Sequence, residues 1–280
     1  MLRDRNITNN TLFNEIIRID FYRIKDIDNM AERINELLSK EKYTFKTTDI
    51  RNVNINIEDP ETLVTQELIK SNITSNVNTT KNYEYISENE NHKFVLNEYF
   101  IIFEKTNFSS YGKIEKYLEI LKKIIDIIIG EPEIKISRVG IRKMNQLFFG
   151  KIETMENYFN IILPKKDYKI LDEYAITQKN LDKADNYSSN IMINLKRGRG
   201  SINSDTNQIE MFRYIWDIDC YKRNVEALKI IDEIINLNNH LFERYNDAIT
   251  DEFYKILEKK EIDMDELKKL DIYGGINKNG

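Results

Sequence analysis

Ser137–Phe149 reads SRVGIRKMNQLFF and Ile215–Tyr221 reads IWDIDCY, and these two stretches decide the fold. Val139, Ile141, Phe148, Ile215, Trp216 and Tyr221 favour strands, yet Arg138, Arg142, Asp217 and Asp219 sit among them. An ion taken out of water costs several kcal/mol unless it is paired. Two arginines on one strand and two aspartates on another therefore predict a cross-strand network. Alternation puts Arg213, Asp217 and Asp219 on one face, and Phe212, Tyr214, Trp216, Ile218 and Cys220 on the other. On the earlier strand Arg138 and Arg142 share a face with Gly140, while Val139 and Ile141 point oppositely. Where the two polar faces meet, the guanidinium groups can fork onto the carboxylates.

The neighbouring segments extend this picture. Phe13, Ile17, Ile19 and Phe21 alternate as in a half-buried strand, and Ile27–Leu38 follows helical spacing with Asp26 or Asp28 as N-cap. Tyr43–Thr47 and Arg51–Ile57 read as short strands, and Asp59 before Pro60 starts a helix to about Lys70. The polar run SNITSNVNTTK (71–81) reads as a loop. Tyr83–Ser87 and Phe94–Lys105 form a hairpin around ENENH. The helix Ile114–Ile128 follows, closed by Gly130 and Pro132. Weak helical or irregular segments are expected around Met155–Ile162 and Leu171–Leu181. Ile191–Lys196 and Ile209–Tyr221 make a second hairpin around the RGRGSINSDTNQ loop. One helix of about 30 residues, roughly 45 Å long, runs from about Asn224 with Leu228 to Phe253 on its apolar face.

The hairpin-plus-helix order occurs twice, so the expected class is α+β: an antiparallel sheet built from two hairpin-plus-helix halves with long amphipathic helices on one side. The divisions are 1–81 (strand and helix), 82–150 (first half), 151–190 (connection), 191–258 (second half) and 259–280 (a mobile tail).

The 280 residues are 41% hydrophobic, enough for a sizeable core, and the net charge of -5 gives no global attraction to nucleic acid or anionic membranes. Asparagine and lysine are abundant, with 3 prolines and 9 glycines, as an AT-rich coding sequence would give. The N-x-S/T triplets at Asn6, Asn72, Asn107 and Asn186 follow from that bias. One cysteine, Cys220, leaves no intramolecular disulfide, and with nothing resembling a secretory leader a cytoplasmic location is expected. No apolar run reaches the ~18 to 20 residues of a bilayer span.

Four motifs carry a resemblance over nearly the whole chain. They are the strand Glu15–Phe21, the stretch Arg138-Val-Gly-Ile-Arg-Lys-Met-Asn145, Asp217-Ile-Asp219, and His240-Leu-Phe-Glu-Arg-Tyr-Asn-Asp-Ala-Ile-Thr250. In order and spacing the chain resembles a sporadically distributed family of uncharacterised bacterial and archaeal proteins of similar length, whose strands read RiGlRYiN and DiD. Lys143 departs from the usual tyrosine. The resemblance implies a prokaryotic source and supplies no activity, cofactor or catalytic residue.

The candidate ligand-binding residues are Arg138, Arg142, Asn145, Asp217 and Asp219, with a structural ion network preferred over an anion clamp. Two carboxylates are too few for a Mg2+ or Ca2+ site, so no metal and no cofactor are expected. Lys196, Arg197 and Arg199, at the expected hairpin tip, are the candidate nucleic-acid contacts, against an exposed, solvated loop. His240 and Cys220 read as packing residues. Without Walker A, G-x-S-x-G, H-E-x-x-H or dinucleotide motifs, catalysis is left open. The leading expectation is a non-enzymatic binding or regulatory module acting through protein partners, in host versus mobile-element conflict. The alternatives are an enzyme or binder for a phosphorylated or nucleotide-like anion, and nucleic-acid binding through the basic tip. A protein partner is expected, a homo-oligomer or nucleic acid is the alternative, and a membrane is not expected.

Overall fold

The computed structural model describes residues 9–57, 73–89, 91–106, 114–131, 134–160, 173–182, 186–201, 208–259 and 261–276. Its frame is a ten-stranded antiparallel sheet, so the α+β antiparallel class holds. The strands are β1 (Leu12–Phe21), β2 (Tyr43–Ile57), β3 (Ile73–Ser87), β4 (His92–Leu96), β5 (Phe100–Lys105), β6 (Ile136–Phe149), β7 (Glu173–Asp182), β8 (Tyr187–Ser201), β9 (Gln208–Arg223) and β10 (Ile272–Gly274). Their order is β2-β3-β4-β5-β1-β6-β9-β8-β7, and β10 pairs with the end of β6. The first strand thus lies at the centre, between β5 and β6.

Six α-helices occur among the described residues: α1 (Ile27–Ser39), α2 (Glu115–Ile129), α3 (Ile152–Tyr158), α4 (Ile230–Ala248), α5 (Asp251–Leu257) and α6 (Met264–Lys269). Asp26 caps α1 by accepting from the Asn29 amide. The helices reach the apolar side of the sheet through specific contacts. Tyr85 donates to the Ala31 carbonyl of α1 at 2.8 Å, the Tyr117 ring of α2 stacks on Phe103 at 4.5 Å, and Tyr245 of α4 stacks on Trp216 at 5.4 Å. Val139, Ile141, Leu147 and Phe149 of β6, with Trp216, Ile218 and Cys220 of β9, are buried beneath them. No helix among the described residues is long and apolar enough to cross a membrane.

Several expectations are corrected. Residues 73–81 are strand, because β3 pairs with β2 residue by residue from Tyr43↔Ser87 to Ile57↔Ile73. A backbone ladder needs no apolar stripe, and Ile73, Thr74, Val77, Thr79 and Thr80 all favour extended backbone. The same ladder joins the two short strands expected within 43–57. Phe94–Lys105 divides into β4 and β5 because the Asn97 side chain accepts from the Tyr99 and Phe100 amides at 2.8 and 3.0 Å, a local turn. Residues 173–181 form part of β7 rather than a helical or irregular segment, since a short apolar run does not fix its own period. Of the segment expected around 155–162, residues 155–158 fall in α3, which starts earlier at Ile152; Phe159 is extended and bridges to Ile249, and 161–162 lie outside the described residues. The helix at 60–70 lies outside the described residues. In the region assigned to the tail, α6 and β10 form and bury Leu267 and Ile272.

The terminal helix is not continuous. Leu228 falls in a single 3-10 turn, Ala227–Lys229, and is 89% exposed rather than on an apolar face. The break between α4 and α5 lies at Ile249, extended and bridged to Phe159. Thr250 then restarts the helix, its Oγ1 accepting from the Phe253 amide at 3.2 Å and donating to the Asn157 carbonyl at 2.8 Å. Thr250→Ala should therefore lower the unfolding free energy by about 1 kcal/mol. Urea unfolding checks it, and no change would mean that the cap contributes nothing.

Candidate functional site

Among the described residues two polar clusters concern the sequence candidates and their neighbours, one on each face of the sheet. On the face away from α2 and α4, Arg18 and Asp20 (β1), Arg138 and Arg142 (β6), and Asp217 and Asp219 (β9) stand side by side. Arg142 lies opposite Asp219 in the ladder, yet its guanidinium reaches diagonally to Asp217. Its Nε lies 2.8 and 3.1 Å from the two carboxylate oxygens, and Nη2 lies 2.5 Å from Oδ2. The fork is asymmetric in exposure, with the Asp217 side chain 5% exposed and that of Arg142 42%. Arg138 donates to Asp219 at 3.0 Å, lies 3.7 Å from Asp20 and covers the Tyr221 ring at 4.3 Å. Gly140 opens that space, for a Cβ there would sit 3.1 Å from the Tyr221 Cβ. Arg18 pairs with Asp20 at 2.6 Å and lies over Phe100 at 4.3 Å.

Three arginines thus meet three aspartates, and the cluster is neutral as a whole. The hydrogen bond to Asp217 raises the Arg142 pKa above its ordinary value. Burial raises that of Asp219, opposed by Arg138 and Arg142. A groove of about 270 Å³ beside the fork is lined by Arg142, Thr177, Lys179, Asn190, Met192, Asp217 and Asp219. In the ladder, Met144 of β6 and Met192 of β8 both lie opposite Asp217. The carboxylate therefore sits between two thioether side chains on one face. Among the described residues no three His, Cys, Asp or Glu side chains are grouped to hold a metal ion.

Asn145 does not belong to this face. It shares the parity of Val139 and Ile141 and is buried, accepting from Thr11 Oγ1 at 2.9 Å and donating to the Trp216 carbonyl at 3.3 Å. Next to it lies a cluster that the sequence reading missed. Glu15 of β1 and Lys143 of β6 are directly opposite in the ladder, both buried, with Nζ to Oε2 at 3.1 Å. The Tyr117 hydroxyl of α2 donates to Glu15, and Lys143 donates to Asn238 Oδ1 of α4 at 2.6 Å. Burial lowers the Lys143 pKa, opposed by Glu15. The signal was present in the alternation, since Val139, Ile141, Lys143, Asn145, Leu147 and Phe149 share one parity.

Lys196, Arg197 and Arg199 lie within β8 rather than at a hairpin tip, opposite Arg213, Phe212 and Glu210. Strand alternation divides them between the two faces. Arg197 covers the Phe212 ring at 5.2 Å and lies 3.5 Å from Glu210. The rest of the expected loop, 202–207, lies outside the described residues. His240 packs against Tyr187 with ring centroids 5.6 Å apart, and Cys220 is buried.

A scan of protein-family models and a search of curated proteins each find no match to the chain.

Proposed function

We propose that the chain is a non-enzymatic binding or regulatory module that engages a protein partner through the sheet face carrying the Arg–Asp cluster. The observation behind this reading is that Met144 and Met192 flank Asp217 on either side, beside an internally neutralised ion network. Methionine adapts its shape to a partner at low cost. The arginines are already held by carboxylates, so the face presents no free charge that demands a charged ligand. The resemblance to a sporadic prokaryotic family supports a cytoplasmic setting in host versus mobile-element conflict. The same reading takes the sheet as two hairpin-plus-helix halves, the end of β3 and β4–β5 with α2 and β6, and β8–β9 with α4, meeting where β6 pairs with β9.

The alternatives have less support. An anion clamp needs Arg138 and Arg142 free of their aspartates, and nucleic-acid binding needs a continuous basic surface. Co-purification from the native host tests the proposal. A partner in fixed stoichiometry should be retained by the wild-type protein and lost by the uncharged exposed-site variant Met192→Gln, with circular dichroism and melting unchanged. Recovery of this chain alone, or equal retention by the variant, would count against it.

A further inference from the structure

We propose that two copies of this chain join edge to edge through β7, paired antiparallel about a twofold axis at Ile176. This goes beyond the partner proposal and uses a different surface, the outer edge of the sheet. β7 is the last strand in the sheet order, and its inner edge pairs with β8 over all ten residues from Glu173↔Lys196 to Asp182↔Tyr187 without a register shift. Among the described residues no strand pairs with its outer edge. A free edge presents a row of backbone donors and acceptors, and proteins usually block it with proline, a bulge, a very short strand or charged side chains, lysine above all. EYAITQKNLD contains no proline or bulge, and it exposes Ile176 at 42%.

The sequence of the strand is complementary to itself. When Ile176 of one copy lies opposite Ile176 of the other, Glu173 falls opposite Lys179, and Lys179 opposite Glu173. Residues 173 and 179 share a face, so both opposite-charge pairs form on the side of the sheet that carries the Arg–Asp cluster. The two Ile176 side chains meet on the other side, beside Ile193 of β8, which packs against the core. Tyr174 then lies opposite Gln178. Centring the axis on Thr177 instead would set Lys179 against Ala175 and Glu173 against Leu181, losing both pairs. Glu173 and Lys179 are exposed, and Glu173 accepts a bond from Asn194 at 3.3 Å. Such a contact is isologous and closes after two copies. It would make one continuous sheet with two partner-binding faces.

Sedimentation of a dilution series tests this with four proteins: wild type, Glu173→Lys, Lys179→Glu, and the double charge swap. The wild type should dimerise. Each single reversal should weaken the dimer by roughly tenfold or more, because two attractive pairs become two repulsive ones. The double swap should restore it to near the wild-type constant. A wild type that stays monomeric throughout, or a dimer indifferent to every reversal, would overturn the proposal. Because Met192 is untouched in all four, partner retention reports separately on the proposed function.

Discussion

Lys143→Met should lower the unfolding free energy by about 3 to 5 kcal/mol, a large fraction of the stability of an ordinary domain. The lysine is fully buried, and its ammonium answers the Glu15 carboxylate at 3.1 Å. Replacing it with a side chain of similar volume keeps the packing and leaves a buried charge facing methionine, with the Tyr117 hydroxyl its remaining donor among the contacts described here. Glu15→Gln in the same chain should recover much of the loss, because Gln can still accept from Tyr117 while the orphaned charge disappears. Urea unfolding of the two single variants and the double variant measures the coupling. Additive losses would mean that the two side chains act independently. The position matters because the pair ties together the two central strands and the two helices above them: Glu15 on β1 holds α2, and Lys143 on β6 holds α4.

Arg142→Met should cost about 2 to 3 kcal/mol, less than a fully buried pair, because the guanidinium is half exposed and water can take its place in part. What remains is the cost of the Asp217 carboxylate, 5% exposed and stripped of its fork. Arg142→Lys should fall between wild type and Met, since an ammonium restores the charge and not the two parallel bonds. The same urea titrations give the numbers. A lysine variant as stable as wild type would mean that charge alone, without geometry, holds Asp217.

The sequence shows most clearly those parts of the fold that depend on alternation. The core faces of β6 and β9, and the meeting of Arg138 and Arg142 with Asp217 and Asp219, follow from parity and from the cost of an unpaired ion. Which arginine takes which aspartate does not, because Arg142 is long enough to pass its direct neighbour Asp219 and reach Asp217 on the diagonal. Lys143 and Asn145 were legible by the same parity, but the polar character of Asn145 grouped it with the Arg–Asp face and Lys143 was given no face at all. A buried lysine becomes comprehensible only once Glu15 is opposite it, and that pairing joins residues far apart in sequence. The β2–β3 ladder was hidden for another reason: its Asn, Thr and Ser residues look like loop, while its backbone bonds leave no periodic trace. The break between α4 and α5 did leave one, in Thr250 followed by Asp251 and Glu252, a helix start inside an apparently continuous helix.

On the proposed function, the Arg–Asp cluster is scaffold and the face around it is the binding surface. The most direct test is a double-mutant cycle on Arg142 and Asp217, read by urea unfolding alongside partner retention under folding conditions. Arg142→Met should be markedly destabilised, adding Asp217→Asn should recover part of the loss, and the folded single variant should still hold its partner. An Arg142→Met protein as stable as wild type that no longer binds its partner would contradict that reading and place the arginine in the site itself.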